Sequence, residues 1–169
     1  MTSTVAILMG SDSDFPRLEP CVRTLRDFGV EPVVRVLSAH RTPDEACAFA
    51  SGARAAGIRV MICAAGGAAH LAGVVAAHTT LPVLGIPMDN PPMGGLDALL
   101  ATVQMPPGVP VASLAAGGGG PINAALQALR ILGVADEAMA AKLEDFRADQ
   151  RAKVLAKDAK LQQKLAGEA

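Results

Sequence analysis

VAILMGSDSD, residues 5–14, is the stretch on which the fold turns. Five consecutive apolar residues, Val5–Met9, are too few for a helix and show no alternation, so they read as a strand buried on both faces. Gly10 and a run of hydroxyls and carboxylates follow at once, where such a strand must stop. Further short apolar or β-branched runs occur at Pro32–Leu37, Arg59–Cys63, Pro82–Ile86 and Pro110–Leu114. Helical patterns fall between and after them, at Phe15–Phe28, Pro43–Ala56, Ala69–His78, Leu96–Val103 and Pro121–Leu132. Buried strands alternating with helix-length segments predict a parallel sheet covered on both faces. The expected architecture is α/β: one flavodoxin-like, doubly wound, five-stranded parallel sheet in the order 2-1-3-4-5, plus a C-terminal helix.

The bulk composition limits what such a domain can bind. The chain has 169 residues, which suits one domain, and a domain of that size buries roughly two-thirds of its unfolded surface. Four Phe and no Tyr or Trp leave little to stack on a base or a flavin, which argues against an RNA-binding sheet or a flavin carrier. Fifteen basic and sixteen acidic residues are interspersed for a net charge of −1, so neither nucleic acid nor a membrane surface is an expected partner. Cys21, Cys47 and Cys63 are widely spaced and form no CxxC, as expected of reduced thiols in a reducing compartment. No basic segment precedes the first strand, and no apolar stretch reaches about 18 uninterrupted residues, so a soluble, cytoplasmic protein is expected.

In doubly wound sheets a ligand sits beyond the carboxyl ends of the strands, where strand order reverses. Three loops would meet there. Gly10-Ser11-Asp12-Ser13-Asp14 combines a tight-turn glycine, hydroxyls and free N–H groups at a helix start, suited to a phosphate or to ribose hydroxyls; capping alone would need only one such residue. It is not a P-loop, because no Gly-Lys-Ser/Thr follows. Ser38-Ala39-His40-Arg41-Thr42-Pro43 sets an imidazole beside a guanidinium. His40 can move protons, and Arg41 can clamp a phosphate or carboxylate. Ala65-Gly66-Gly67-Ala68-Ala69-His70 lets a ligand approach the backbone, or serves close helix–sheet packing. For His70 a structural role and a substrate contact are equally consistent with the sequence. His78, at the end of an Ala-rich helix, reads as a partner of the helix dipole. The Pro/Gly-rich segments 89–95 and 104–108 read either as a shaped rim or as plain turns. Three scattered histidines supply no metal template, and no cysteine lies in a strand-end loop to act as a nucleophile.

Six strings occur in order between Val5 and Leu132: MGSDSD at 9–14, SAHRTP at 38–43, GGAAHL at 66–71, Gly-Leu-Asp at 95–97, VQMPPG at 103–108 and NAAL at 123–126. In these the chain resembles the N5-carboxyaminoimidazole ribonucleotide mutase family of purine biosynthesis. The resemblance implies conversion of N5-carboxyaminoimidazole ribonucleotide to 4-carboxyaminoimidazole ribonucleotide without metal or organic cofactor. It places the catalytic histidine at His40 and substrate-binding residues at Ser11, Asp14 and Arg41. Around them it sets Gly10, Ser13, Ser38, Ala39, Gly66, His70 and Leu71. It also implies homo-octamers with active sites at subunit contacts. Ala64, Ala72, Asn90 and Pro91 depart from the family pattern. A related branch that carboxylates aminoimidazole ribonucleotide directly with CO2 has Lys where this chain has Arg41. A phosphoacceptor module on the same fold would need an Asp ending strand three and a Lys ending strand five, and those positions are rich in Gly and Ala.

Residues 1–134 are thus expected to form the catalytic unit and 135–169 a helical extension. Met139, Leu143 and Phe146 make one narrow apolar stripe on that extension. A stripe so narrow is expected to pack on a neighbouring subunit, or to fray, rather than to bury on its own domain.

Overall fold

The computed structural model describes residues 4–167; Met1–Ser3 and Glu168–Ala169, the outer ends of the two expected segments, lie outside the described residues. Five parallel strands form one sheet: β1 (Val5–Met9), β2 (Val33–Val36), β3 (Val60–Ala65), β4 (Val83–Pro87) and β5 (Ala112–Ser113). Their order is β2-β1-β3-β4-β5, as expected. Six helices follow the strands in turn: α1 (Phe15–Asp27), α2 (Pro43–Gly52), α3 (Leu71–Ala77), α4 (Leu96–Val103), α5 (Gly120–Gly133) and α6 (Glu137–Gly167). A 3₁₀ turn, Asp12–Asp14, leads into α1.

Successive strand residues point to opposite faces, so the sheet feeds two separate cores. On one face Val5, Ile7 and Met9 of β1 join Val60 and Ile62 of β3 under α1 and α5. On the other, Ala6, Leu8, Met61 and Cys63 pack beneath α2 and α3. Ala124, Ala125 and Ala128 of α5 are fully buried, and their small side chains bring that helix close to the sheet and to α1. Pro16, Pro43 and Pro121 each stand in the first turn of a helix, where a missing N–H costs nothing.

Several element ends differ from the sequence reading, for local reasons. β5 shrinks to two residues because Pro110 has no N–H to give the ladder at this edge; Leu114 still donates to the Gly85 carbonyl at 2.8 Å. α2 stops at Gly52, and Ile58 N–H closes back on the Ala53 carbonyl at 3.0 Å. α3 begins at Leu71, because Gly67 adopts a positive φ of 62° and holds Ala68–His70 in a turn.

The larger correction concerns the Met139–Leu143–Phe146 stripe, which packs on its own domain. Met139 is buried in the α1/α5 core, with Leu143 and Phe146 against it. The Phe28 and Phe146 rings meet edge to face at 5.8 Å between centroids, and Lys142 Nζ donates to the Phe28 carbonyl at 3.0 Å. Asp136 caps this turn by accepting from Met139 N–H at 3.0 Å. Three residues suffice because they meet an apolar cluster built from α1 and α5, including Phe28, Leu126 and Leu129. Beyond Phe146 the same helix is exposed throughout, including Val154, Leu161 and Leu165.

Met139→Ala is expected to destabilise the fold by about 2 kcal/mol, measured by urea unfolding. An unchanged midpoint would mean that α6 does not dock on its own domain.

Candidate active site

The strand order reverses at β1, whose neighbours are β2 on one side and β3 on the other. The loops leaving the carboxyl ends of these three strands enclose a cavity of about 210 Å³. Gly10, Ser11, Ser13 and Asp14 line it from the first loop, Ser38, Ala39, His40 and Arg41 from the second, and Ala65, Gly66, Ala68 and Leu71 from the third. Ten of the eleven residues singled out in the sequence therefore share one cavity wall. The eleventh, His70, stands beside it against His40.

The loop after β1 is organised by Ser11. Its Oγ caps the 3₁₀ turn by accepting from Ser13 N–H at 3.3 Å, and it lies 2.8 Å from Ser13 Oγ. The loop after β2 is a tight hydrogen-bonded turn. Ser38 Oγ accepts from the N–H groups of His40 (3.3 Å) and Arg41 (3.1 Å), while Thr42 Oγ1 accepts from Ser38 N–H at 2.8 Å. That turn fixes the backbone from which both functional side chains leave. Arg41 then reaches across, and its Nη2 donates to the Gly10 carbonyl, tying the first loop to the second.

The two histidines come from loops thirty residues apart and form one unit. His40 Nε2 lies 2.8 Å from His70 Nδ1, with the rings edge to face. Two ring nitrogens at that distance share a single proton, because one must accept while the other donates. A proton arriving on one imidazole therefore has a defined partner on the other. The structure gives His70 a hydrogen-bond partner in His40, a contact the sequence did not announce. His78 donates from Nδ1 to the Val74 carbonyl at 2.9 Å, closing the end of α3 away from the cavity, as expected for a helix-end partner.

The fourth wall was only half legible in the sequence. Met88–Gly95 folds back as a rim, and Asn90 enters the cavity lining. The rim is tight: Gly95 has φ of 86°, and a Cβ there would stand 2.9 Å from Asp89 Cα. Asn90 lies so close to Gly66 that any side chain at residue 66 would collide with its amide. Of the glycines and alanines expected to form the pocket, Gly66 and Ala68 line it, whereas Gly67 and Ala69 do not. The Gln104–Gly108 segment stays away, with Met105 packed against Gly73.

Arg17 was missed altogether. It occupies the first turn of α1, and its Nη2 donates to Asp14 Oδ1 (3.1 Å) and Asn90 Oδ1 (2.7 Å) while Nη1 donates to Asp89 Oδ1 (2.9 Å). Asp14, only 6% exposed, is thus a carboxylate held by a cation. The only signal in the sequence is an Arg three residues after an acidic one, a pair common on any helix surface.

With this geometry in view, the comparisons are direct. The chain belongs to the AIR carboxylase family, whose model matches residues 4–153. Its relatives include proteins named N5-carboxyaminoimidazole ribonucleotide mutase. The Brucella melitensis mutase is 49% identical over 150 residues, covering 89% of this chain and 93% of its own. The Mycobacterium tuberculosis mutase is 48% identical over 163 residues, covering 96% and 92%. The crystal structure of Treponema denticola PurE superposes with a TM-score of 0.85 at 28% identity, covering 94% of this chain and 98% of that one.

The three cysteines lie away from the cavity lining. Burial pushes the Cys21 thiol up to about 12, partly offset by a backbone hydrogen bond from Ala125, and burial raises Cys63 as well. At pH 8 in native protein, Cys21 and Cys63 are expected to resist a thiol reagent while half-buried Cys47 reacts; denaturant should release all three. Rapid native labelling of two or more thiols would contradict this packing.

Proposed function

We propose that this protein is an N5-carboxyaminoimidazole ribonucleotide mutase acting in the cytoplasm, with His40 as its acid and base. The observation that carries the reading is near-half identity, over nine-tenths of the chain, to proteins bearing that name. The cavity supplies the chemistry. Ser11 and Ser13, whose hydroxyl oxygens lie 2.8 Å apart in the cavity lining, suit the phosphate. Asp14 Oδ2, which has no protein donor among the described residues, suits ribose hydroxyls. Arg41 suits the carboxylate, and its Gly10 contact holds the guanidinium beside the first loop.

The reaction moves a carboxyl group from an exocyclic nitrogen to the adjacent ring carbon. The N–C bond breaks, CO2 leaves, and its bonding pair stays on nitrogen, which takes a proton from His40. The ring carbon then attacks CO2, and His40 removes the proton from that carbon as the ring regains aromaticity. The proton given in the first half returns in the second, so the cycle closes on one residue. His70, at 2.8 Å, orients the ring and shares the proton between halves. Proton transfers and CO2 recapture balance the reaction, so no metal or organic cofactor is called for.

Incubation with N5-carboxyaminoimidazole ribonucleotide in bicarbonate-free buffer tests the reading, with ring-carboxylated product expected. A strict demand for added CO2 would indicate direct carboxylation instead. His40→Asn should lower turnover by about 10²–10⁴-fold while leaving thermal stability near wild type, because Asn keeps a hydrogen bond but carries no proton. Activity within tenfold of wild type would remove His40 from the mechanism.

The working unit is a homo-oligomer, an octamer by family likeness. The stripe of α6 that docks on its own domain continues as Val154, Leu161 and Leu165, all more than half exposed and on the same helix face. That uncovered length, within the segment 135–169, suits a self-complementary contact with another copy. Light scattering at micromolar concentration should report a mass near eight chains; a stable monomer would overturn both the assembly and the role of the distal helix.

A further inference from the structure

A second cavity, of about 240 Å³, is lined by Ile86, Met88, Gly117 and Pro121 together with Arg17 and Asp89. It is largely apolar and lies next to the active site. The boundary between the two spaces is one hydrogen-bonded group. Asp14 and Asn90 line the active-site cavity, Arg17 and Asp89 line the second, and the Arg17 guanidinium bonds to all three of its neighbours. Backbone reinforces the partition on both sides. Asp89 Oδ2 would lie only 3.3 Å from a Cβ at Gly117, and a Cβ at Gly66 would collide with the Asn90 amide.

We propose that Arg17 is a positioning residue that seals the active-site cavity from this second cavity, and so retains the CO2 released between the two halves of the reaction. The inference rests on the mutase reading above. Once the N–C bond has broken, CO2 has two fates: bonding to the ring carbon or diffusing away. A small apolar molecule enters an apolar pocket readily, and this 240 Å³ pocket opens to solvent, so it is an escape route whenever the partition opens. The planar guanidinium spans three acceptors at once, which a lysine ammonium on a single point cannot do. Without it, Asp14 and Asp89 are left as carboxylates without their shared cation, and the rim is expected to swing out.

The test follows the carboxyl carbon. Substrate labelled there with ¹³C is converted in buffer containing unlabelled bicarbonate, and two ratios are measured: label kept in the product, and free aminoimidazole ribonucleotide released per product formed. Arg17→Ala should lose at least threefold more label than wild type and release correspondingly more free aminoimidazole ribonucleotide. Arg17→Lys should fall between the two. Asn90→Ala in the Arg17→Ala background should add little, since the clamp is already gone. A merely structural Arg17 would lower the melting temperature or turnover and leave both ratios at the wild-type value; that result overturns the proposal. Should Arg17→Ala fail to fold, Asp89→Ala and Asn90→Ala each remove one acceptor and carry the same readout, with unchanged ratios in both again overturning it. Wild-type protein that does not convert the substrate at all defeats the mutase reading and this inference together, whereas normal wild-type conversion with unaltered variants defeats this inference alone.

Discussion

A parallel sheet covered on both faces leaves its polar chemistry only one place to gather. Every β1 residue from Val5 to Met9 is essentially without solvent contact, and β4 and all of β3 but its last residue, Ala65, are buried too. No charged group can stand along those strands without an unpaired burial cost, so ligand-binding residues collect where the strands end. The reversal of strand order at β1 then separates the neighbouring loops and opens a crevice between them. The cavity, the histidine pair and the Arg17 clamp all lie at that crevice. A slip of one residue in the β1–β3 register would exchange the two core faces and carry Gly10 away from Ala64, whose carbonyl its N–H reaches at 3.4 Å.

Within the crevice, loops are held by short local contacts and joined by long-range ones. Ser11 organises its own turn, and Ser38 with Thr42 organises the next, so each loop arrives with its shape already set. Arg41 to Gly10, His40 to His70 and Arg17 to Asp89 and Asn90 then tie the loops together. The division has a physical consequence. Local turns lose little entropy on folding, whereas the cross-loop bonds form only once the sheet has brought the loops together. Pre-arranged polar groups of this kind need no reorganisation when a charged substrate arrives.

Small side chains serve two ends here. In α5 they bring a helix against α1, and at Gly66 they make room for the Asn90 amide. The chain uses few aromatics because close backbone approach, rather than ring packing, fills its core. Phe28 against Phe146 is the exception, and it fastens the terminal helix.

The sequence by itself determined the number and type of elements, their parallel arrangement, and the residues at the ends of β1, β2 and β3. Those follow from local periodicity and from the burial of whole strands, which a single chain spells out. It also displayed His40 and Arg41, because a loop that needs only a cap has no use for them. Three matters were decided by tertiary structure alone. His70 became the partner of His40 rather than an isolated contact, since thirty residues of chain must fold before their rings can meet. Met139, Leu143 and Phe146 found partners on their own domain, because the apolar cluster they join exists only once α1 and α5 have packed together. Arg17 became the clamp behind Asp14 and Asn90 of the site wall, through acceptors more than seventy residues away on the rim, and no local pattern can announce a partner that distant.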